Sequence, residues 1–336
     1  MAVMHIAIDL GTSYVTVYAA GSGIVLKEPS IVAFSGEEDG RRIKAFGQRA
    51  AEMVGRTPDR TLLVSPVTDG YIQNYEVAAV LIKECVKCIL PESYIFLPKI
   101  KALVAVPTGL SVDERKAYED AFVRGGVNEV TMVDNIMATA VGYDLPVSLP
   151  AGGMLVNIGG GSTEVALVSM CGIIAGCSVN VGGQMMDKAL MDFITGKYGL
   201  KAGVSSVRKL KHDVASLYPN DISSGEIKGV NIKNLTPASV TVYASDIYET
   251  LLPYYTRICE AVAGIINVCP PELASDILEM GIYVAGGGAS VPGLSEFFSE
   301  LLGMRITVAE NAELIPILGA GKLLANIPLL KEINGA

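Results

Sequence analysis

Two stretches of this chain place acids, amides, glycines and hydroxyls where an oxyanion could be held. In His5-Ile6-Ala7-Ile8-Asp9-Leu10-Gly11-Thr12-Ser13-Tyr14-Val15-Thr16-Val17-Tyr18, an apolar run enters, Asp9 and Gly11 precede two hydroxyls, and a second apolar run leaves. The order recurs in Leu155-Val156-Asn157-Ile158-Gly159-Gly160-Gly161-Ser162-Thr163-Glu164-Val165-Ala166-Leu167, with an amide, Asn157, at the acid's place. The glycines let backbone N–H groups approach an anion and the hydroxyls add donors, so each turn suits a phosphate. Two copies of one device predict a duplicated fold with its ligand between the halves.

Each device needs a strand, a tight turn and a second strand. The first hairpin continues as a β-meander through Gly23–Phe34, followed by a charged turn at 36–40, a short helix at Gln48–Val54 and the turn pair Asp69-Gly70. A helix is expected over about Tyr75–Ile89, then a buried strand, Ala102–Pro107. Ser111 and Glu114 have capping-box spacing and open a helix through Val123, which Gly125-Gly126 end. A strand at Glu129–Val133 feeds Asp134-Asn135 and a small-residue helix, Ile136–Val141. This alternation marks an α/β domain. Pro146–Gly153 reads as a linker into the second half, where a strand (Gly172–Val181) and a helix (Met185–Lys197) follow the glycine hairpin. Residues 200–245 are the most polar and read as a subdomain. Ser245–Glu249 are placed to cap a long helix to Val268, stopped by Pro270-Pro271. A strand then ends in Gly286-Gly287-Gly288, Leu294 starts another helix, and the apolar stretch from Ile315 closes the chain.

With 336 residues, half of them apolar, the chain fits about two domains with sizeable cores. A net charge of -9 argues against a surface built for nucleic-acid phosphates, so no nucleic-acid partner is expected. Residues 1–8 enter the first hairpin without a basic region and cleavage site, and no apolar run reaches the ~18 residues that span a bilayer; a cytoplasmic protein is expected. The six cysteines sit in helix- or strand-like runs, as buried thiols of a reducing compartment would. Cys85 and Cys88 fall on an amphipathic helix. With His5 and His212 as the histidines and no second cysteine pair, core packing is the better reading than a zinc site.

Beyond the two hairpins, Gly23-Ile24-Val25-Leu26-Lys27-Glu28-Pro29-Ser30, Gly55-Arg56-Thr57-Pro58, Asp69-Gly70, Pro270-Pro271-Glu272-Leu273-Ala274-Ser275-Asp276-Ile277 and Ala285-Gly286-Gly287-Gly288 are present. On these residues nearly the whole chain resembles the MreB family, the rod-shape-determining bacterial actin homologues of the actin, heat-shock-chaperone and sugar-kinase superfold. The resemblance implies an α/β, actin-like fold of two RNase-H-like domains, each with a smaller subdomain, around a nucleotide cleft. Domain I would span 1–143, with a subdomain at about 33–69 and residues 315–336 packed back on it. Domain II would span 144–314, with a subdomain at about 182–245. The implied ligand is ATP with Mg²⁺, and Asp9 would face the Mg²⁺ through water. Gly11, Thr12, Ser13 and Tyr14 would lie along the first phosphate turn, and Gly159, Gly160, Gly161, Ser162 and Thr163 along the opposite one. Arg208, Lys209, Leu210, Lys211 and Asp213 would meet the adenosine, which Gly286, Gly287, Gly288 and Ala289 would let the backbone approach. The resemblance also implies protofilaments of the chain with itself, co-assembly with MreB-type paralogues being allowed. They would lie at the inner face of the cytoplasmic membrane and organise cell-wall synthesis with its membrane proteins.

The chain departs from that pattern where hydrolysis would occur. Asn157 stands where the family usually has an aspartate, and Asn135 where it has a water-positioning glutamate; Asp134 is the neighbouring substitute acid. An amide holds water but accepts protons poorly, so binding with slow or lost hydrolysis is expected. Arg208 reverses the charge of the usual glutamate at the adenosine. Ile95, Phe96 and Leu97, between Pro91 and Pro98 with Lys99 and Lys101 beside them, match a loop that dips into the bilayer in the family; they equally suit the start of the next strand. The alternative functions are a small-molecule kinase, which would need an acid where Asn135 and Asn157 stand, and a chaperone-type ATPase, which would need a peptide-binding domain after residue 336.

Overall fold

A strand that hides both faces belongs in the middle of a covered sheet. Ile6, Ala7 and Ile8 are buried without interruption, as is all of Gly153–Ile158, and both strands are central. The computed structural model describes residues 2–36, 42–57, 60–90 and 98–335. Val3–Leu10 pairs antiparallel with Tyr14–Ala19, which pairs with Gly23–Pro29; on its other side it runs parallel to Lys99–Val106, which pairs with Glu129–Asp134. Gly153–Ile158 repeats the arrangement with Thr163–Ser169 and Gly172–Val179 on one side, and with Ile282–Ala285 and Ile306–Val308 on the other. Two five-stranded sheets thus share one strand order. A helix carries the chain between the last two parallel strands of each, Val112–Arg124 in the first and Leu294–Leu302 in the second.

Local chemistry sets the helix ends. Ser111 and Glu114 form the capping box their spacing predicts, and Asn74 caps Tyr75–Ile89 through the Val77 N–H. The helix expected from Ser245 begins at Ala244 without a side-chain cap. Asp246 is engaged elsewhere, by Lys197 at 2.5 Å and the Tyr198 hydroxyl at 2.6 Å. Cysteine placement also differs from expectation: Cys85, Cys171 and Cys259 are buried, but Cys88 and Cys177 are exposed. Cys88 lies one turn past Cys85, beyond the helix's buried face, and Cys177 lies on the outermost strand of its sheet. Of the charged turn at 36–40, residues 37–40 lie outside the described residues, as does the apolar trio Ile95, Phe96 and Leu97.

Each sheet carries a small companion: Val32–Ser35 with Arg42–Phe46 and Thr61–Val64, and Leu200–Ala202 with Ser224–Asn231 and Pro237–Tyr243. Between the large sheets lie Asn135–Gly142 and Ile315–Ala325, whose Ile136, Met137, Ile317, Ala320 and Leu323 share a core with Ala7, Leu103, Leu155 and Val168. These helices touch backbone to backbone. A Cβ on Gly319 would run into the Ala138 carbonyl and come within 2.6 Å of the Gly142 nitrogen. Gly319→Ala is therefore expected to destabilise by about 1–3 kcal/mol, read as a lower thermal midpoint. Gly264→Ala, at an exposed helical position with open space around it, should be neutral or stabilising.

Candidate functional site

The two hairpins close with the same bond: the Gly11 N–H donates to the Tyr14 carbonyl at 3.0 Å, and the Gly159 N–H to the Ser162 carbonyl at 2.9 Å. Their tips meet. A Cβ on Gly160 would strike Ser13, and one on Gly161 would lie 2.5 Å from Thr12 Oγ1 and 2.6 Å from the Gly70 nitrogen. Asp69 and Gly70 make their turn with φ of 53° and 87°, aiming the Gly70 N–H at Thr12 Oγ1, 3.0 Å away. Beneath this contact opens a cavity of about 870 Å³, a size that takes a small molecule.

Most of the residues singled out from sequence line this cavity. Asp9, Gly11, Thr12, Ser13 and Tyr14 do so from one hairpin; Asn157, Gly159, Gly160, Gly161 and Ser162 from the other; and Gly286, Gly287, Gly288, Arg208, Lys211 and Asn135 from the rest. Others are turned away. On the helix Val204–Val214, Arg208, Lys211 and His212 share the cavity face, while Leu210 enters the core and Lys209 pairs with Asp213 on the solvent side. A continuous run cannot all face one ligand, because a helix turns about 100° per residue. Thr163 is buried with its hydroxyl donating to the Val181 carbonyl at 2.7 Å, and Ala289 is core. Asp134, the substitute acid, is held by Arg115 Nη2 at 2.5 Å and is not part of the cavity lining.

Lining residues not singled out as site residues from sequence include Glu164, Asp187, Lys27 and Glu313. Glu164, 7 % exposed, takes the Thr108 N–H at 2.8 Å. Asp187, 3 % exposed, holds Lys211 Nζ at 2.6 Å and Arg208 Nε at 3.1 Å. Lys211 Nζ also donates to the Gly183 carbonyl at 2.7 Å. At the rim, Lys27 Nζ reaches Glu313 Oε1 across the opening at 3.4 Å and lies over the Tyr14 ring. The signal for Glu164 was present: once the turn length is known, it falls directly opposite Asn157 and on the same face. Asp187 carried no local signal.

The electrostatics fit an anionic ligand that brings a counter-cation. Burial, with Glu164's charge adding to it, pushes the Asp9 carboxyl up to about 7. Burial also raises Glu164, with the hydrogen bond from the Thr108 N–H opposing. Burial lowers Lys211, while Asp187 pulls it back toward the charged form. Asn135 Oδ1 is buried with no hydrogen-bond partner among the described residues. Such an atom needs a donor from a ligand or water.

A family model described as MreB/Mbl protein matches residues 3–332. The chain belongs to the MreB/Mbl family. The cell shape-determining protein MreB of Escherichia coli (strain K12) is 36% identical over 327 residues, 96% of this chain and 94% of that protein. The crystal structure of MreB5 of Spiroplasma citri bound to AMPPNP matches with a TM-score of 0.91 and 28% identity, over 100% of both chains. The MamK double helical filament matches in fold, with a TM-score of 0.80 and 20% identity over 96% of this chain and 99% of that one. The fold is actin-like, as the sequence implied.

A carboxyl raised by burial favours the folded state while protonated. Its contribution is fully present below its ordinary range near 3.8 and is lost as pH rises through about 7. The ligand-free protein should therefore show a falling thermal midpoint between pH 5 and 8, and Asp9→Asn should flatten that fall.

Proposed function

We propose that this chain is an ATP-binding, MreB-type cytoskeletal subunit that polymerises with itself and helps determine cell shape. The observation that carries the nucleotide reading is the meeting of two glycine turns over one cavity, with no room for a Cβ at Gly160 or Gly161 and an unpartnered Asn135 Oδ1 among the lining residues. The fold neighbour bound to AMPPNP supports the same reading. Backbone N–H groups of Gly11–Tyr14 and Gly159–Ser162 would hold the phosphates, and Arg208 and Lys211, clasped on Asp187, would border the nucleoside. Asp9 would hold Mg²⁺ through water, and the ion would offset the repulsion between the phosphates and the buried Asp9 and Glu164.

Self-assembly is supported by the family and by the filament form of MamK. Attachment to the inner face of the cytoplasmic membrane rests on Ile95, Phe96 and Leu97 as a sequence motif and on the family. A link to cell-wall synthesis proteins rests on the family alone. Membership of the MreB/Mbl family weighs against the kinase and chaperone alternatives.

Electron microscopy of the purified chain is expected to show filaments with ATP or a non-hydrolysable analogue; persistent monomers under both conditions would overturn the polymer reading. Turnover in the wild-type chain is expected to be slow, because replacing a positioned general base costs about 10²–10⁴-fold. Asn135→Glu combined with Asn157→Asp should raise single-turnover phosphate release, and no gain would count against the assignment of those positions.

A further inference from the structure

Amides at 135 and 157 leave the cavity without the two carboxylates expected of it, yet a carboxylate is there. Asn157 and Glu164 are direct partners across the second hairpin, so both side chains leave the sheet on one face. The corresponding pair in the first hairpin is Asp9 and Thr16. Each hairpin therefore brings one acid to the cavity, the first on its entering strand and the second on its leaving strand.

Glu164 is also held in a defined position. Its Oε1 accepts the Thr108 N–H at 2.8 Å, and the Asn157 amide lies opposite it across the hairpin. The other end of that amide is placed too: a Cβ on Gly286 would lie 2.7 Å from Asn157 Oδ1. Thr108 follows the strand Lys99–Val106 by two residues, and Val106 is the register partner of Asp134, the residue before Asn135. The register thus brings Asn135 and Glu164 to one end of the cavity, where Asn135 Oδ1 lacks a donor. A water bound there would find two acceptors, the amide oxygen and the carboxylate.

We propose that Glu164 is the proton acceptor for nucleotide hydrolysis in this chain, with Asn135 orienting the attacking water. The proposal rests on the reading of the cavity as a nucleoside triphosphate site. The water oxygen bonds to the terminal phosphorus while one of its O–H bonds breaks, and that proton goes to Glu164. The bond from phosphorus to the bridging oxygen breaks, and the nucleoside diphosphate leaves with the electron pair. Glu164 then returns the proton to the freed phosphate. Hydrolysis without the usual acids is thus slowed rather than abolished.

Glu164→Gln separates this role from a purely structural one, since the glutamine oxygen still accepts the Thr108 N–H. The test is calorimetric titration of ATP with Mg²⁺, together with single-turnover phosphate release, on the full chain and its Glu164→Gln and Glu164→Asp variants. The expected result is an ATP affinity and a thermal midpoint no lower than the wild type's in Glu164→Gln, with phosphate release slowed about 10²–10⁴-fold. Glu164→Asp, which keeps a carboxylate at shorter reach, should fall between it and the wild type. Wild-type release rates in Glu164→Gln, or release by the wild type no faster than from free ATP, would overturn the proposal while leaving the nucleotide site standing. Failure of the wild type to bind ATP would overturn both. A loss of affinity that parallels the loss of rate in Glu164→Gln would assign the residue to structure and overturn the catalytic role.

Discussion

The close approach of the two hairpin tips is the constraint on which the site depends. Gly160 abuts Ser13, and Gly161 abuts Thr12 and the Asp69-Gly70 turn, with no room for a Cβ at either glycine. Backbone N–H groups from both halves can then face one ligand, which side chains at those positions would hold apart. The same contact sets the height of the cavity and makes bridges such as Thr108 to Glu164 and Lys27 to Glu313 possible across it. The helices Asn135–Gly142 and Ile315–Ala325 complete the arrangement at the opposite side, again through glycine contacts, at Gly142 and Gly319.

The charge pattern follows from that geometry. Bringing Asp9 and Glu164 into one desolvated space costs energy, seen in the upward shift of both carboxyls, and an incoming cation relieves it. At the other end of the cavity a buried aspartate already has its partners, since Asp187 is shared by Arg208 and Lys211. The cavity is therefore polarised: one end calls for a cation, and the other is already balanced by the protein's own charges.

Replacing acids by amides at 135 and 157 changes less than position-by-position reading suggests. Asn135 keeps an unpartnered acceptor at the cavity, and Asn157 faces Glu164 across the hairpin. The two carboxylates that the resemblance implies are amides here, but a carboxylate on the strand paired with Asn157 occupies the same face.

Local sequence determined what local physics controls. The glycine turns, the Ser111–Glu114 capping box, the helix Tyr75–Ile89 and the duplicated strand–turn–strand devices all depend on neighbours within a few residues. The fold and its family were legible for the same reason, since the two hairpins and the motifs between them are short and specific. Tertiary structure alone decided which members of a candidate run face the ligand: Arg208 and Lys211 do, Lys209 and Leu210 do not, because helix phase is set by which face packs. It also decided that Asp134 goes to Arg115 and that Asp187 serves Lys211 and Arg208, because ion pairs 19 and more residues apart form only when packing brings their elements together.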